Sequence, residues 1–119
     1  MHYGFVKLPL IPVRAAGNER SEMTTQLLLG EYVKIIEEQE KWLYVENIED
    51  GYQGWVDRKM IVIVSESTFL ESRQMKITKV CYPYALIYNQ VLNQSMLIPG
   101  GSLLYNLKAD VFKLHDETW

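Results

Sequence analysis

The chain predicts an all-β fold, a small antiparallel barrel followed by a second, incomplete module of the same kind. Three observations carry that expectation. Short runs with strand-like alternation succeed one another at close spacing, turns rich in glycine or charge separate them, and a pattern of apolar run, glycine turn and strand occurs twice.

Residues 5–13 are apolar-rich but interrupted by Pro9 and Pro12, which suits an edge strand or a bulged one. Residues 14–26 are polar, contain Gly17-Asn18 and lack alternation, so they read as a long loop after the first strand. Ser21 is placed within it to cap a single helical turn. Leu27-Leu28-Leu29-Gly30-Glu31 then turns the chain into a strand at 32–37, with Val33 and Ile35 on one face and Lys34 on the other. The strand at 42–47 puts Trp42, Tyr44 and Glu46 on one face, Leu43 and Val45 on the other. A turn at 47–51 leads to a strand at 53–57. Arg58-Lys59-Met60 forms a short helical turn, and Ile61-Val62-Ile63-Val64 closes the module. The first module, residues 1–64, thus holds about five strands. A module of this size buries only roughly 60% of its unfolded surface, so Trp42 and Trp55 are expected in its core.

Residues 65–74 are polar and weakly patterned and read as a linker; residues 75–119 form the second, truncated module. Its strand at 76–80 is followed by Cys81-Tyr82-Pro83-Tyr84-Ala85-Leu86-Ile87-Tyr88. Residues 95–104 then parallel residues 26–33, with no later counterpart of the Gly51–Trp55 hairpin. An unpaired sheet edge there would invite a homodimer. The alternating Tyr82, Tyr84 and Tyr88 suit a sheet face or a packing surface, and offer a carbohydrate- or peptide-binding surface as the alternative.

An apolar fraction of 48% is that of a globular chain, and a net charge of −3 argues against nucleic acid and anionic membrane surfaces as partners. Cys81 is the only cysteine, which excludes an intrachain disulfide and a cysteine-built metal site; a small buried apolar role is expected for it. His2 and His115 are too isolated to suggest a metal, and no cofactor is implied. The start, Met1-His2-Tyr3-Gly4-Phe5, is not a secretory signal, and nothing approaches the roughly 18 apolar residues of a membrane span, so a soluble, cytoplasmic chain is expected.

Four segments go beyond generic barrel patterning: Pro12-Val13-Arg14-Ala15, residues 21–31 from Ser21-Glu22-Met23 to Gly30-Glu31, Trp42-Leu43, and Asp50-Gly51-Tyr52-Gln53-Gly54-Trp55. Together they closely resemble the N-terminal bacterial SH3-like (SH3b) region of NlpC-type cysteine peptidases, which cut cell-wall peptides between D-γ-glutamate and a diamino acid. The resemblance covers residues 4–63 and extends weakly to Leu97-Ile98-Pro99-Gly100-Gly101-Ser102 in the second module. It implies an SH3-like barrel in a bacterial protein. In that family an Asp-Cys-Ser-Gly nucleophile motif and a later histidine follow in the catalytic domain. Here Cys81 lies between Val80 and Tyr82 with no such motif, so the chain is expected to be non-catalytic and to act beside a catalytic cysteine-peptidase domain.

The resemblance further implies that the first module helps to hold the free L-alanine end of murein peptides. The matching residues are Glu22, whose carboxylate would pair with the ammonium, and Tyr52, whose phenol would stand beside it. Without a catalytic domain these form one wall of a site. Arg14, Ser21 and Trp55 are candidate supports, Arg14 by holding Glu22 or Glu31. The structural alternatives are a loop-end carboxylate for Glu22 and a tyrosine packed on Trp55 for Tyr52. A different functional class is a stand-alone adaptor that binds a peptide or cell-wall glycan through the long loop and the tyrosines. An enzyme built on Cys81 is a remoter third.

Overall fold

A computed structural model describes residues 2–18 and 20–119; Met1, and Glu19 in the long loop, lie outside it. The first half contains β1 (Tyr3–Phe5), β2 (Leu10–Arg14), β3 (Met23–Leu28), β4 (Tyr32–Glu38), β5 (Trp42–Asn47) and β6 (Gln53–Asp57). A 3-10 turn (Arg58–Met60) then leads into β7 (Val62–Val64). All seven strands join one antiparallel sheet in the order β3-β2-β6-β5-β4-β1-β7. Leu27 on one edge strand and Ile61 beside the other belong to the same buried cluster as Val13, Val33, Leu43, Val45 and Val56. The sheet therefore curls on itself around an aliphatic centre, which is the expected SH3-like barrel.

The alternation read from the sequence decides which side chains fill that centre. On β5, Leu43, Val45 and Asn47 are buried while Trp42, Tyr44 and Glu46 are half-exposed. On β6, Gly54 and Val56 point inward. A Cβ at Gly54 would come within 2.3 Å of Val13 Cγ1, so glycine allows β6 to cross β2 closely at the Arg14–Trp55 pair. Asp57 caps the 3-10 turn by accepting from Lys59 N at 2.9 Å.

Several expectations are corrected. The first strand is two, β1 and β2, because the chain turns at residues 6–9, where Pro9 brings no N–H to a ladder. The long loop is shorter than expected, 15–22, since residues 23–28 pair with β2 as an edge strand. Its polar side chains hide that pairing because Thr24 and Gln26 face solvent. Ser21 caps no helix. Trp42 and Trp55 are not in the core: they sit half-exposed on the outside of the sheet, displaced by branched aliphatic residues that fit the narrow interior.

Residues 65–74, read as a linker, carry helix α1 (Glu66–Ser72), whose N-cap Ser65 Oγ accepts from Thr68 N at 3.2 Å. Phe69 is buried on it and stacks on Tyr3 with ring centroids 4.2 Å apart. Beyond it lie β8 (Ile77–Lys79), β9 (Tyr84–Asn89), β10 (Gln94–Pro99), β11 (Leu103–Tyr105), β12 (Lys113–Leu114) and β13 (Glu117–Thr118), paired as β8 with β11, β9 with β10 and β12 with β13. Their buried residues Ile98, Leu104, Tyr105, Phe112, Leu114 and Trp119 join Tyr3, Phe5 and Tyr32 of the barrel strands in a second core.

The glycine pattern that occurs twice is where the halves meet. Leu103 N donates to Leu29 O at 2.8 Å, and Tyr105 Oη to Gly30 O at 2.6 Å. Gly30 has φ +87°, and a Cβ there would lie 2.1 Å from the Leu103 carbonyl oxygen.

Candidate functional site

The outward face of β2, β6 and β5 concentrates the aromatic and charged residues singled out in the sequence. Arg14 stands opposite Trp55, and Trp55 opposite Tyr44, in consecutive ladder positions. The Tyr44 and Trp55 rings meet at 5.1 Å with a 60° tilt. Tyr44 Oη donates to Gln53 Oε1 at 3.3 Å, and Gln53 Nε2 to Glu46 Oε1 at 2.9 Å, which fixes that end of the face.

The loop after β2 touches this face at Gly17, while Ala15, Ala16, Asn18, Arg20 and Glu22 stay exposed. A Cβ on Gly17 would lie 3.4 Å from Trp42 Cβ and Cγ. Ser21 Oγ is within hydrogen-bond reach of Ala16 O at 2.8 Å and Asn18 O at 2.9 Å, and Arg20 N donates to Asn18 Oδ1 at 3.0 Å. Arg14 Nη1 donates to Ser21 O at 3.1 Å. Arg14 and Ser21 thus tie down the ends of the loop, but Arg14 holds a carbonyl and neither of the expected carboxylates. Glu31 is occupied elsewhere: its carboxylate accepts from Leu28 N at 2.7 Å across the Gly30 turn. Burial raises its pKa above the ordinary carboxylate value, opposed by that backbone bond and by Asn47.

Glu22 precedes β3 and Tyr52 precedes β6. Met23, Arg14 and Trp55 form one row across β3, β2 and β6, and β3 and β6 run in the same direction on either side of β2. Glu22 stands one residue before that row and Tyr52 three, so both lie at the same end of the sheet, with their strands separated by two spacings of roughly 4.8 Å. The Glu22 backbone carbonyl accepts from Ala15 N at 2.9 Å, whereas its exposed carboxylate forms no ion pair among the described residues. Tyr52 is 45% exposed. Its turn is closed by Tyr52 N to Asp50 Oδ1 at 2.9 Å and by Asn47 N to Tyr52 O at 2.9 Å. The ring packed on Trp55 is Tyr44, from the neighbouring strand.

The sequence pattern contains Trp42 and Tyr44 on the face opposite Leu43 and Val45, but not which face turns outward. That is why these two aromatics are missing from the expected site.

In the second half, Cys81 is exposed and not buried, because it lies in the turn before β9 where neither core reaches it. Tyr84, Leu86 and Tyr88 point outward along β9, with Leu97 opposite Leu86 on β10, leaving an uncovered apolar face. His115 stacks beside Phe5 at 6.3 Å. Among the described residues no three His, Cys, Asp or Glu side chains gather as a metal site.

Residues 13–61, which include the loop and this outward face, match the family described as the bacterial dipeptidyl-peptidase SH3 domain. None of the curated proteins matches the chain. Among solved structures, an NlpC/P60 family protein from Bacillus cereus superposes with a TM-score of 0.76 at 16% identity, over 98% of this chain and 52% of that one. NlpC2 from Trichomonas vaginalis aligns with a TM-score of 0.44 at 15% identity, over 92% of this chain and 40% of that one. The chain spans about half the length of the Bacillus protein it resembles. The resemblance to the SH3-like region of NlpC-type proteins is thereby borne out, and the Bacillus structure carries the likeness of fold through the second half as well.

Proposed function

We propose that this chain is the non-catalytic, substrate-recognising region of a bacterial cell-wall-peptide hydrolase. The first barrel supplies one wall of the site for the free L-alanine end of murein peptides. Glu22 pairs with the substrate ammonium and Tyr52 flanks it, while Arg14, Ser21 and Trp55 keep loop and sheet in place. The supporting observation is an exposed carboxylate, unpaired among the described residues, at the same sheet end as an exposed tyrosine. A charge-assisted pair to an ammonium is worth about 1.5–3 kcal/mol once water is excluded, and a catalytic cysteine-peptidase domain would supply that exclusion. The second half then serves as spacer and docking surface, for which the apolar face of β9 and β10 is suited. We place this role in the cytoplasm, on imported wall peptides.

Cleavage by a matching NlpC-type catalytic domain combined with this chain tests the proposal. Glu22→Ala is expected to lower kcat/KM about 10- to 100-fold for a peptide with a free N-terminus and to leave the N-acetylated peptide unaffected. Equal cleavage of the free peptide by both forms would remove Glu22 from the site. The adaptor reading draws on the exposed Tyr82, Tyr84 and Tyr88. Firm retention of the chain alone on purified peptidoglycan fragments would favour it, since half a site binds weakly.

A further inference from the structure

We propose that two copies of this chain meet through the outer face of β9 and β10. The inference rests on the docking surface assigned above to the second half and names its occupant. Residues paired directly across the two strands share a face, so Tyr84 with Pro99, Leu86 with Leu97 and Tyr88 with Ser95 form the outer one. Their alternates Ala85, Ile87, Met96 and Ile98 turn to the core between the halves. The outer face is bare: Leu86 is 69% exposed and Leu97 57%, with the exposed Tyr84 and Tyr88 on either side of Leu86. Exposed side chains prolong it at both ends of the hairpin, Tyr82 before β9, Val91 and Leu92 in the turn after it. Together they present on the order of 800 Å², more than the largest apolar patch of an ordinary monomer and close to what one partner brings to a standard interface. A sheet of two strands covers such a face only by packing it on something else.

The absence of charge decides the occupant. Residues 80–107 contain no Asp, Glu, Lys, Arg or His, although the chain carries 12 basic and 15 acidic residues; this is the longest uncharged run of the sequence. A two-fold contact sets one patch against itself, so a charge near the axis meets its like. On a chain of net charge −3, the neutral hairpin lets two copies approach without that repulsion. A partner of opposite charge finds nothing on the face to pair with. A glycan fits less well, because the leucine pair in the middle of the face offers its hydroxyls no hydrogen bond. Asp110 is exposed and borders the face beside Tyr88 and Val91, at a rim where a solvated charge has little weight. The same border holds a recess of about 450 Å³, lined also by the buried Phe112 and Trp119, which a side chain of the second copy can enter.

Sedimentation velocity of the whole chain between about 1 and 300 µM tests the proposal, and a reversible dimer with a Kd of about 1–100 µM is expected. The double substitution Leu86→Lys, Leu97→Lys is expected to weaken the dimer by at least about tenfold, and Leu86→Glu, Leu97→Glu likewise. Both positions are exposed, so each variant should keep the near-ultraviolet circular dichroism of the native chain. Mixing the two variants should restore a dimer, because opposite charges then meet across the axis. A monomer at every concentration, a dimer equally tight in both variants, or no recovery on mixing would overturn the proposal. So would a monomer retained on purified peptidoglycan glycan, or one that binds an NlpC-type catalytic domain through Leu86 and Leu97, since the face would then belong to that occupant. The oligomeric state is read without substrate or catalytic domain, so its outcome leaves the Glu22 assignment untouched.

Discussion

The two cores of this molecule are made of different material. The barrel interior is aliphatic throughout, with Val6, Ile11, Val13, Leu27, Val33, Ile35, Leu43, Val45, Val56 and Ile61. The core between the halves is ringed by aromatics: Tyr3 on Phe69, Phe5 against Tyr32, and Tyr32 edge-on to Tyr105 at 5.8 Å and 88°. A tightly curled sheet leaves room for branched side chains, whereas the wider gap between two bodies takes rings. The division has a functional consequence. The barrel does not need Trp42, Tyr44 and Trp55 to close, so they are left on its outer face beside the loop. The second half, built of three two-stranded pieces, buries its inward side chains by sharing β1, the start of β4 and α1, and leaves the outer face of β9 and β10 uncovered.

The seam between the halves is the sharpest place to break this contrast. Gly30→Ala would drive a Cβ into the backbone oxygen of Leu103, whereas Gly54→Ala in the barrel meets the Val13 side chain first. Backbone yields less than a methyl group, and Gly30 also has a positive φ. A loss of about 2–4 kcal/mol is expected for Gly30→Ala, exceeding that for Gly54→Ala, by denaturant unfolding. The reverse order would mean that the seam is loose.

A smaller effect sharpens the same comparison. Tyr105→Phe removes the bond to Gly30 O and is expected to cost about 1 kcal/mol at neutral pH. Burial raises the Tyr105 phenol pKa well above 10, so the folded state keeps its proton while the unfolded chain releases one near pH 10. Stability from this group is therefore complete below about pH 10 and falls as pH rises beyond it. Melting followed from pH 8 to 11 should show a steeper alkaline loss, setting in near pH 10, for the native chain than for Tyr105→Phe.

The strands most legible in the sequence are β5 and β6, which alternate between a buried and a more exposed face, and the part of β4 where Val33 and Ile35 are buried on either side of the half-exposed Lys34. β3 was obscured by being an edge strand with polar residues on its open side. α1 was obscured because its one large buried side chain, Phe69, gives no periodicity over so short a helix. Alternation tells that Trp42 and Leu43 face opposite ways but not which is inside; that depends on the curvature of the sheet and the volume it encloses. Motif resemblance alone points to Glu22 and Tyr52, while the gathering of Arg20, Lys41 and Arg58 near Trp42 comes from separate segments that only the folded chain assembles.

The central claim, that branched aliphatic residues hold the barrel and leave its tryptophans outside, is tested most directly by two neighbouring positions. Denaturant unfolding of Leu43→Ala and Trp42→Ala should give a loss of about 2–5 kcal/mol for the first and about 1 kcal/mol for the second. A Trp42→Ala loss equal to or larger than that of Leu43→Ala would place the indole in the core and contradict the account.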